Sequence, residues 1–125
     1  MVSKKDWRAL PVDKWTVTTF RHYLFDRHQE LFGIKYVTRN HAVEGRMLKN
    51  MIAEEGPDVT KRFIDACLTE YKPTPQYPGV SFTFMYSYMR ARVLPRVLAE
   101  AQRARAVATT TGLTEEQADQ LIDLL

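Results

Sequence analysis

The residues best suited to chemistry in this sequence are arginines, which crowd into one stretch of its second half: Arg90, Arg92, Arg96, Arg103 and Arg105. A guanidinium group offers a fixed fork of donors to phosphate oxygens and stays charged at any working pH. On a helix, Arg92, Arg96 and Arg103 return to nearly the same face, because steps of four and seven separate them. This pattern predicts backbone contacts with nucleic acid. The alternative is a solvated face whose arginines pair with carboxylates such as Glu100.

Two lysines near the N-terminus, Lys4 and Lys5, are predicted to support these phosphate contacts. A short charged terminus is often only solvated, which is the alternative for this pair. Together with the five arginines, they form the predicted nucleic-acid-binding set.

Aromatic residues lie just before the arginines, and such rings can stack on unpaired bases. Phe82 shares an apolar helix face with Met85 and Met89, so its spacing predicts a place in the core. Phe84 and Tyr88 lie off that face. They are the two aromatic residues that we expect at the surface, with core packing as the alternative for them too.

Catalytic chemistry has little support in this sequence. His22 and His28 are six residues apart, which places them on different sides of a helix, and His41 has no cysteine or carboxylate at a metal-ligand spacing. There is no glycine-rich phosphate loop and no nucleophile elbow. Cys67 lies among apolar residues that predict a buried, inert thiol. We therefore predict a binding protein, with no enzymatic activity, no cofactor and no metal.

The composition predicts one domain in a reducing compartment. The chain has 125 residues, 45% of them hydrophobic, which suffices for one core. Its 18 lysines and arginines exceed its 15 acidic residues, giving a charge of +3 and a weak preference for anionic partners. One cysteine cannot form an internal disulfide, and no apolar run is long enough to span a bilayer. We expect a cytoplasmic protein that does not bind membranes.

Apolar spacing of three and four residues predicts an all-α fold, a compact bundle of about four to five helices. The expected organisation is a flexible basic arm over 1–14, a helical domain over 15–106, a linker over 107–113 and a short acidic helix over 114–125. Asn40 is a predicted N-cap, and Gly56 with Pro57 predicts a helix boundary. Pro95 lacks a backbone N–H, which predicts two helices, or one kinked helix, meeting near Leu94.

The second and third predicted helices form a hairpin that suggests a helix-turn-helix. On the third helix, Lys61 and Arg62 are offset by three acidic residues, Asp58, Asp65 and Glu70. The phosphate walls of a DNA groove repel carboxylates. A sequence-specific repressor is therefore a second alternative only.

The C-terminal segment is predicted to bind a protein partner through four apolar residues: Leu121, Ile122, Leu124 and Leu125. So short a helix is unstable alone. It either folds back onto its own domain or docks on another protein, including a second copy in a homo-oligomer.

Three stretches together have a familiar order: DRHQELFGIKYV closing the first helix, RMLKNMIAEEGPDVTKRFIDACL across the hairpin, and SFTFMYSYM entering the last long helix. From about Trp15 to Leu98, this order resembles the small all-helical domain of bacteriophage replication accessory proteins, the helicase loaders and replisome organisers. The resemblance implies a role in DNA replication, with contacts to single- or double-stranded DNA and to a replicative helicase or other replication protein. The chain lacks the nucleotide-binding loop of ATP-driven loaders. The competing hypothesis is an adaptor or inhibitor of host replication or transcription machinery that does not bind DNA.

Overall fold

The computed structural model describes residues 3–38 and 40–111, and every regular element in them is helical. The α-helices are α1 (Val17–Phe32), α2 (His41–Glu55), α3 (Pro57–Glu70), the single turn α4 (Phe82–Phe84) and α5 (Arg90–Thr111). A π-helical turn, Met85–Met89, joins α4 to α5, and two 3-10 helices, Trp7–Ala9 and Val12–Lys14, precede α1. The prediction of a compact all-α bundle is confirmed.

The helices begin and end where the sequence provides caps. The side chain of Asn40 accepts a hydrogen bond from the backbone N–H of Val43 (3.1 Å), as its predicted capping role requires. Gly33 ends α1 with a φ of 70°, a left-handed conformation that glycine adopts without strain. Gly56 separates α2 from α3 at a φ of 88°, and Pro57 is the first residue of α3, where its missing N–H costs nothing.

Helix α3 is the centre of the bundle and packs against α1, α2, α5 and the second 3-10 helix. It buries the apolar face that its spacing predicts: Val59, Phe63, Ile64, Cys67 and Leu68. On α1, Phe20 and Leu24 are buried, whereas Leu31, which continues their spacing of three and four residues, is 46% exposed. Phe32 packs on the core in place of Leu31, so the apolar face of α1 turns by one residue at its end.

The helical run of α4, the π-helical turn and α5 buries one continuous line of side chains. It begins with Phe82, Met85 and Met89, as their spacing predicts, and continues along α5 with Val93, Val97, Ala101 and Ala104. Pro95 predicted either two helices or one kinked helix. The structure has one helix here, because α5 runs through the proline to Thr111. Pro95 and Ala91 are both exposed. Pro95 has no N–H to donate to the carbonyl of Ala91, and on this exposed side of the helix water can replace the missing donor.

Both ends of the described chain are more ordered than predicted. From Trp7 onward, the expected flexible arm lies against α1: the indole Nε1 donates to Asp26 Oδ2 (2.7 Å), and the ring packs edge-on against Tyr23, with 4.7 Å between centroids. Helix α5 continues to Thr111, through most of the predicted linker at 107–113. The predicted acidic helix at 114–125 lies outside the described residues.

Candidate nucleic-acid interface

The continuity of α5 keeps three of the predicted arginines on one flank of a single helix. Arg92, Arg96 and Arg103 fall within about 40° of one another at the helical rotation of about 100° per residue. All three are exposed. We call these three residues the arginine stripe.

Arg96 is already paired within the protein. Its Nη2 lies 2.7 Å from Glu70 Oε1 at the end of α3, and the two side chains are 48% and 30% exposed. The carboxylate-paired alternative therefore holds for this arginine, with Glu70 as the partner and not Glu100. Within the described residues, Arg92 and Arg103 have no such ion pair. These two are the members of the stripe available to a ligand.

Arg90 and Arg105 do not join the stripe, which corrects the prediction of one five-residue surface. Residues two apart on a helix differ by about 200°, so Arg90 and Arg105 project to the other side of the buried line from their neighbours Arg92 and Arg103. Arg90 is half-buried, and its guanidinium lies over the ring of Tyr86, 3.9 Å from the centroid. The five arginines thus divide between two flanks.

Lys4 and Lys5 are exposed in the turn before the first 3-10 helix. The segment that carries them is fixed to α1, where Arg8 Nη2 donates to Glu30 Oε1 (2.9 Å) and Trp7 bonds to Asp26. The two 3-10 helices pack mainly on α1 and α3. The structure thus gives no contact that would bring these lysines to the arginine stripe.

The two aromatic residues predicted at the surface are exposed. Phe84 is 41% exposed and Tyr88 is 76% exposed, and their ring centroids lie 5.1 Å apart at an interplanar angle of 41°. Tyr71, at the end of α3, packs edge-on against Phe84 with 6.1 Å between centroids. Phe82 is fully buried, as its spacing predicts. We call Phe84 and Tyr88 the aromatic pair.

The aromatic pair leads directly into the arginine stripe. Phe84, Tyr88, Arg92 and Arg96 follow one another in steps of four along one helical run. Each of the four comes one residue before a buried residue of the same run, Met85, Met89, Val93 or Val97, so all four lie on the same side of the buried line. Flat aromatic surface and cationic donors therefore share one flank of the molecule.

The charged residues near this flank affect the pKa of the buried Cys67 thiol. Burial, and then the negative charge of Glu70, raise the pKa of this thiol to about 12, while the guanidinium groups of Arg92 and Arg96 oppose the shift. Arg96 is the one of these two arginines that contacts α3 through an ion pair in the described residues. The thiol stays protonated at neutral pH and is not an activated nucleophile.

The basic residues of α3 are occupied by acidic neighbours on the same helix. Lys61 Nζ lies 2.9 Å from Asp65 Oδ2, and Arg62 Nε lies 2.9 Å from Asp58 Oδ2. A recognition helix needs side chains that reach base edges in a groove. The geometry of α3 does not favour that use.

A buried polar network positions the start of this helical run, and sequence reasoning missed it. The hydroxyl of Tyr36 donates to Glu44 Oε2 (2.8 Å) and accepts from the backbone N–H of Phe82 (2.8 Å). Burial, and then the negative charge of Glu44, raise the pKa of Tyr36. Glu44 is only 1% exposed. Its place on the apolar face of α2, four residues before Leu48, was the available signal.

The loop that enters α4 is anchored by a second buried group, His28. Its Nε2 accepts from the backbone N–H of Val80 (3.1 Å), so Nδ1 carries the proton that is donated to the carbonyl of Ile34 (3.1 Å). Gly79 lies directly against the imidazole, since a Cβ there would come within 2.4 Å of Nε2. His28 thus holds both the α1–α2 loop and the segment before the aromatic pair.

The four predicted partner-binding residues, Leu121, Ile122, Leu124 and Leu125, lie outside the described residues. No helix in the described part of the chain is long and apolar enough to cross a membrane, and residues 3–38 and 40–111 contain no group of three or more potential metal ligands. Comparison of the chain with protein-family models, with curated proteins and with solved structures finds no match.

Proposed function

We propose that the protein binds nucleic acid through the flank of α5 and acts as an accessory factor that also recruits a protein partner. The observation that carries this proposal is the alignment of exposed Arg92 and Arg103 with the exposed aromatic pair on one helical run. Guanidinium groups bind phosphate without reading sequence, so the contact is sequence-tolerant. The resemblance of the sequence to phage replication accessory domains supports a role in DNA replication, and we propose a helicase or another replication protein as the partner.

Salt dependence tests the arginine contacts. Each phosphate neutralised by an arginine releases counterions, so log K falls with log salt with a slope of about −0.7 per contact on single strands and −0.9 on duplexes. Titrating a fluorescent oligonucleotide at several salt concentrations between about 50 and 200 mM measures this slope. We expect Arg92→Ala with Arg103→Ala to make it shallower by about 1.4 to 1.8 without unfolding the domain.

The matched control removes two exposed cations from another helix. Arg46 and Lys49 are exposed on α2, and replacing both with alanine changes the net charge by the same amount. We expect this variant to keep the wild-type slope. Equal slopes for the α5 variant and the wild type would remove the stripe from the interface, and loss of slope in the α2 variant would move the interface to α2.

The second candidate function is an adaptor that has no affinity for nucleic acid. It is favoured by a shallow apolar depression of about 350 Å³ on the other side of α5, lined by Arg90, Ala91, Leu94, Pro95 and Leu98. Leu98 is 39% exposed there. Such a surface suits a protein better than a polyanion.

Deletion of residues 114–125 separates the two candidates. The nucleic-acid proposal expects the truncated chain to keep its oligonucleotide affinity and to lose only its protein partner. The adaptor hypothesis expects no oligonucleotide shift with either chain at low salt, with partner capture still lost on truncation.

A further inference from the structure

We infer that the ligand of this flank is single-stranded nucleic acid, with unpaired bases stacked on Phe84 and Tyr88 and phosphates held by Arg92 and Arg103. This inference rests on the proposed function and adds the class of ligand. It follows from the exposure of the two rings, their contacts and the charge that follows them along the helix.

The aromatic pair is held in place without being covered. Phe84 is supported from one side by the edge-on ring of Tyr71, and Tyr88 packs on Phe84 while remaining 76% exposed. Single exposed apolar side chains are ordinary, but two adjacent large rings supported from behind are typical of a binding surface. The pair therefore offers an exposed aromatic surface, in which Tyr71 supports Phe84 and Phe84 in turn contacts Tyr88.

The face of a base is accessible only when the base is unpaired and unstacked. In a duplex, neighbouring pairs cover the faces, and only base edges and phosphates reach the outside. A duplex could use the arginines of this flank but would gain nothing from Phe84 and Tyr88. A single strand can use both, because aromatic stacking adds to phosphate attraction whatever the sequence.

The length of the flank gives the expected footprint. Phe84 and Arg103 are nineteen positions apart on one helical run, about 28 Å at about 1.5 Å per residue. A stacked strand advances about 3.4 Å per nucleotide, so this flank spans about eight nucleotides. That length lies within the range of known single-strand sites. Oligonucleotides much shorter than this should lose the contact with Arg103 or with the aromatic pair.

The test compares one labelled mixed-sequence 16-nucleotide strand with the duplex formed from it, using the full chain at low salt. We expect wild type to bind the single strand at least about tenfold more tightly than the duplex. Phe84→Ala with Tyr88→Ala should lower single-strand affinity about tenfold or more and leave duplex affinity within about twofold. Phe84→Leu with Tyr88→Leu should lose as much, whereas Phe84→Tyr with Tyr88→Phe should retain affinity, since only the latter keeps two aromatic faces.

Folding and the alternative outcomes are controlled separately. Tyr88→Ala alone removes the more exposed ring and provides the test if the double variant unfolds. Equal binding of strand and duplex by wild type, or full retention of strand affinity in the leucine or alanine variants, overturns the inference. In that case, sensitivity to Arg92→Ala with Arg103→Ala leaves the proposed function in place. No binding to either oligonucleotide overturns both.

Discussion

Arg96 and Glu70 join α5 to α3 through an ion pair, with 2.7 Å between Nη2 and Oε1, in the middle of the flank that carries the aromatic pair. The pair has two effects on a polyanion. It occupies one of the three arginines of the stripe, and it brings the carboxylate of Glu70 to the stripe. Because both side chains are about one-third to one-half exposed, the pair contributes less than about 1 kcal/mol to stability.

We predict that Glu70→Gln increases affinity for a single-stranded oligonucleotide. The substitution removes the negative charge and leaves Arg96 able to contact phosphate, so the salt slope should steepen by up to about 0.7. Fluorescence titration at several salt concentrations measures both quantities. Adding Arg96→Ala to Glu70→Gln should cancel the steeper slope.

The control for this prediction is Glu54→Gln, which removes an exposed carboxylate from α2 and changes the net charge equally. Only a general charge effect would raise affinity in both variants. An unchanged slope in Glu70→Gln would show that Arg96 lies away from the bound strand.

The sequence predicts the helix faces because burial follows helical spacing. Phe82, Met85, Met89 and Val93 are buried for this reason, and Phe84 and Tyr88 are exposed because they lie off the same face. The outcome at Pro95 depends on which way its ring faces, and that is decided by packing. Spacing alone does not decide between two helices and one kinked helix.

Pairings between distant residues were beyond reach of the sequence. Arg96 meets Glu70 only because α3 and α5 are neighbours, which no local pattern states. Glutamate is rarely buried, yet a hydroxyl from the α1–α2 loop makes the burial of Glu44 possible. The division of Arg90 from Arg92, by contrast, was available from two-residue spacing alone.

Tyr36→Phe should destabilise the fold by about 2 kcal/mol or more. The substitution leaves the carboxylate of Glu44 without its donor and the backbone N–H of Phe82 without its acceptor, both in the core. Urea unfolding measures the loss. Tyr88→Phe is the matched control, since its hydroxyl is at the surface, and should change stability by less than about 0.5 kcal/mol. Similar values for the two variants would contradict the role of the network.

Gly79→Ala should also destabilise, by about 1 to 3 kcal/mol, because its Cβ would lie 2.4 Å from Nε2 of His28. Relief of that contact moves the loop and weakens the bond from Val80 N–H to the imidazole. Gly45→Ala makes the same chemical change on α2, where the near atom is Nη2 at the end of the Arg21 side chain, 2.7 Å away, which donates to the carbonyl of His41. Thermal unfolding should show a smaller loss there than at Gly79, since a long side chain can move and alanine favours a helix by up to about 1 kcal/mol. A Gly79→Ala variant as stable as wild type would show that the loop before α4 can move at little energetic cost.

Cys67 should make stability fall above about pH 9. Burial and Glu70 raise the pKa of the folded thiol from 9.0 to about 12. Between these values the unfolded chain has released the proton and the folded chain retains it, so the free energy of unfolding falls as pH rises. Below pH 9 the contribution of the thiol to stability is fully present.

From pH 8 to 10, the free energy of unfolding of wild type should fall by about 1 kcal/mol more than that of Cys67→Ala. Lysines and tyrosines titrate in both proteins and cancel in the comparison. Urea unfolding under reducing conditions measures the difference, and a gap between the two proteins that stays constant with pH would mean that the thiol ionises alike in both states.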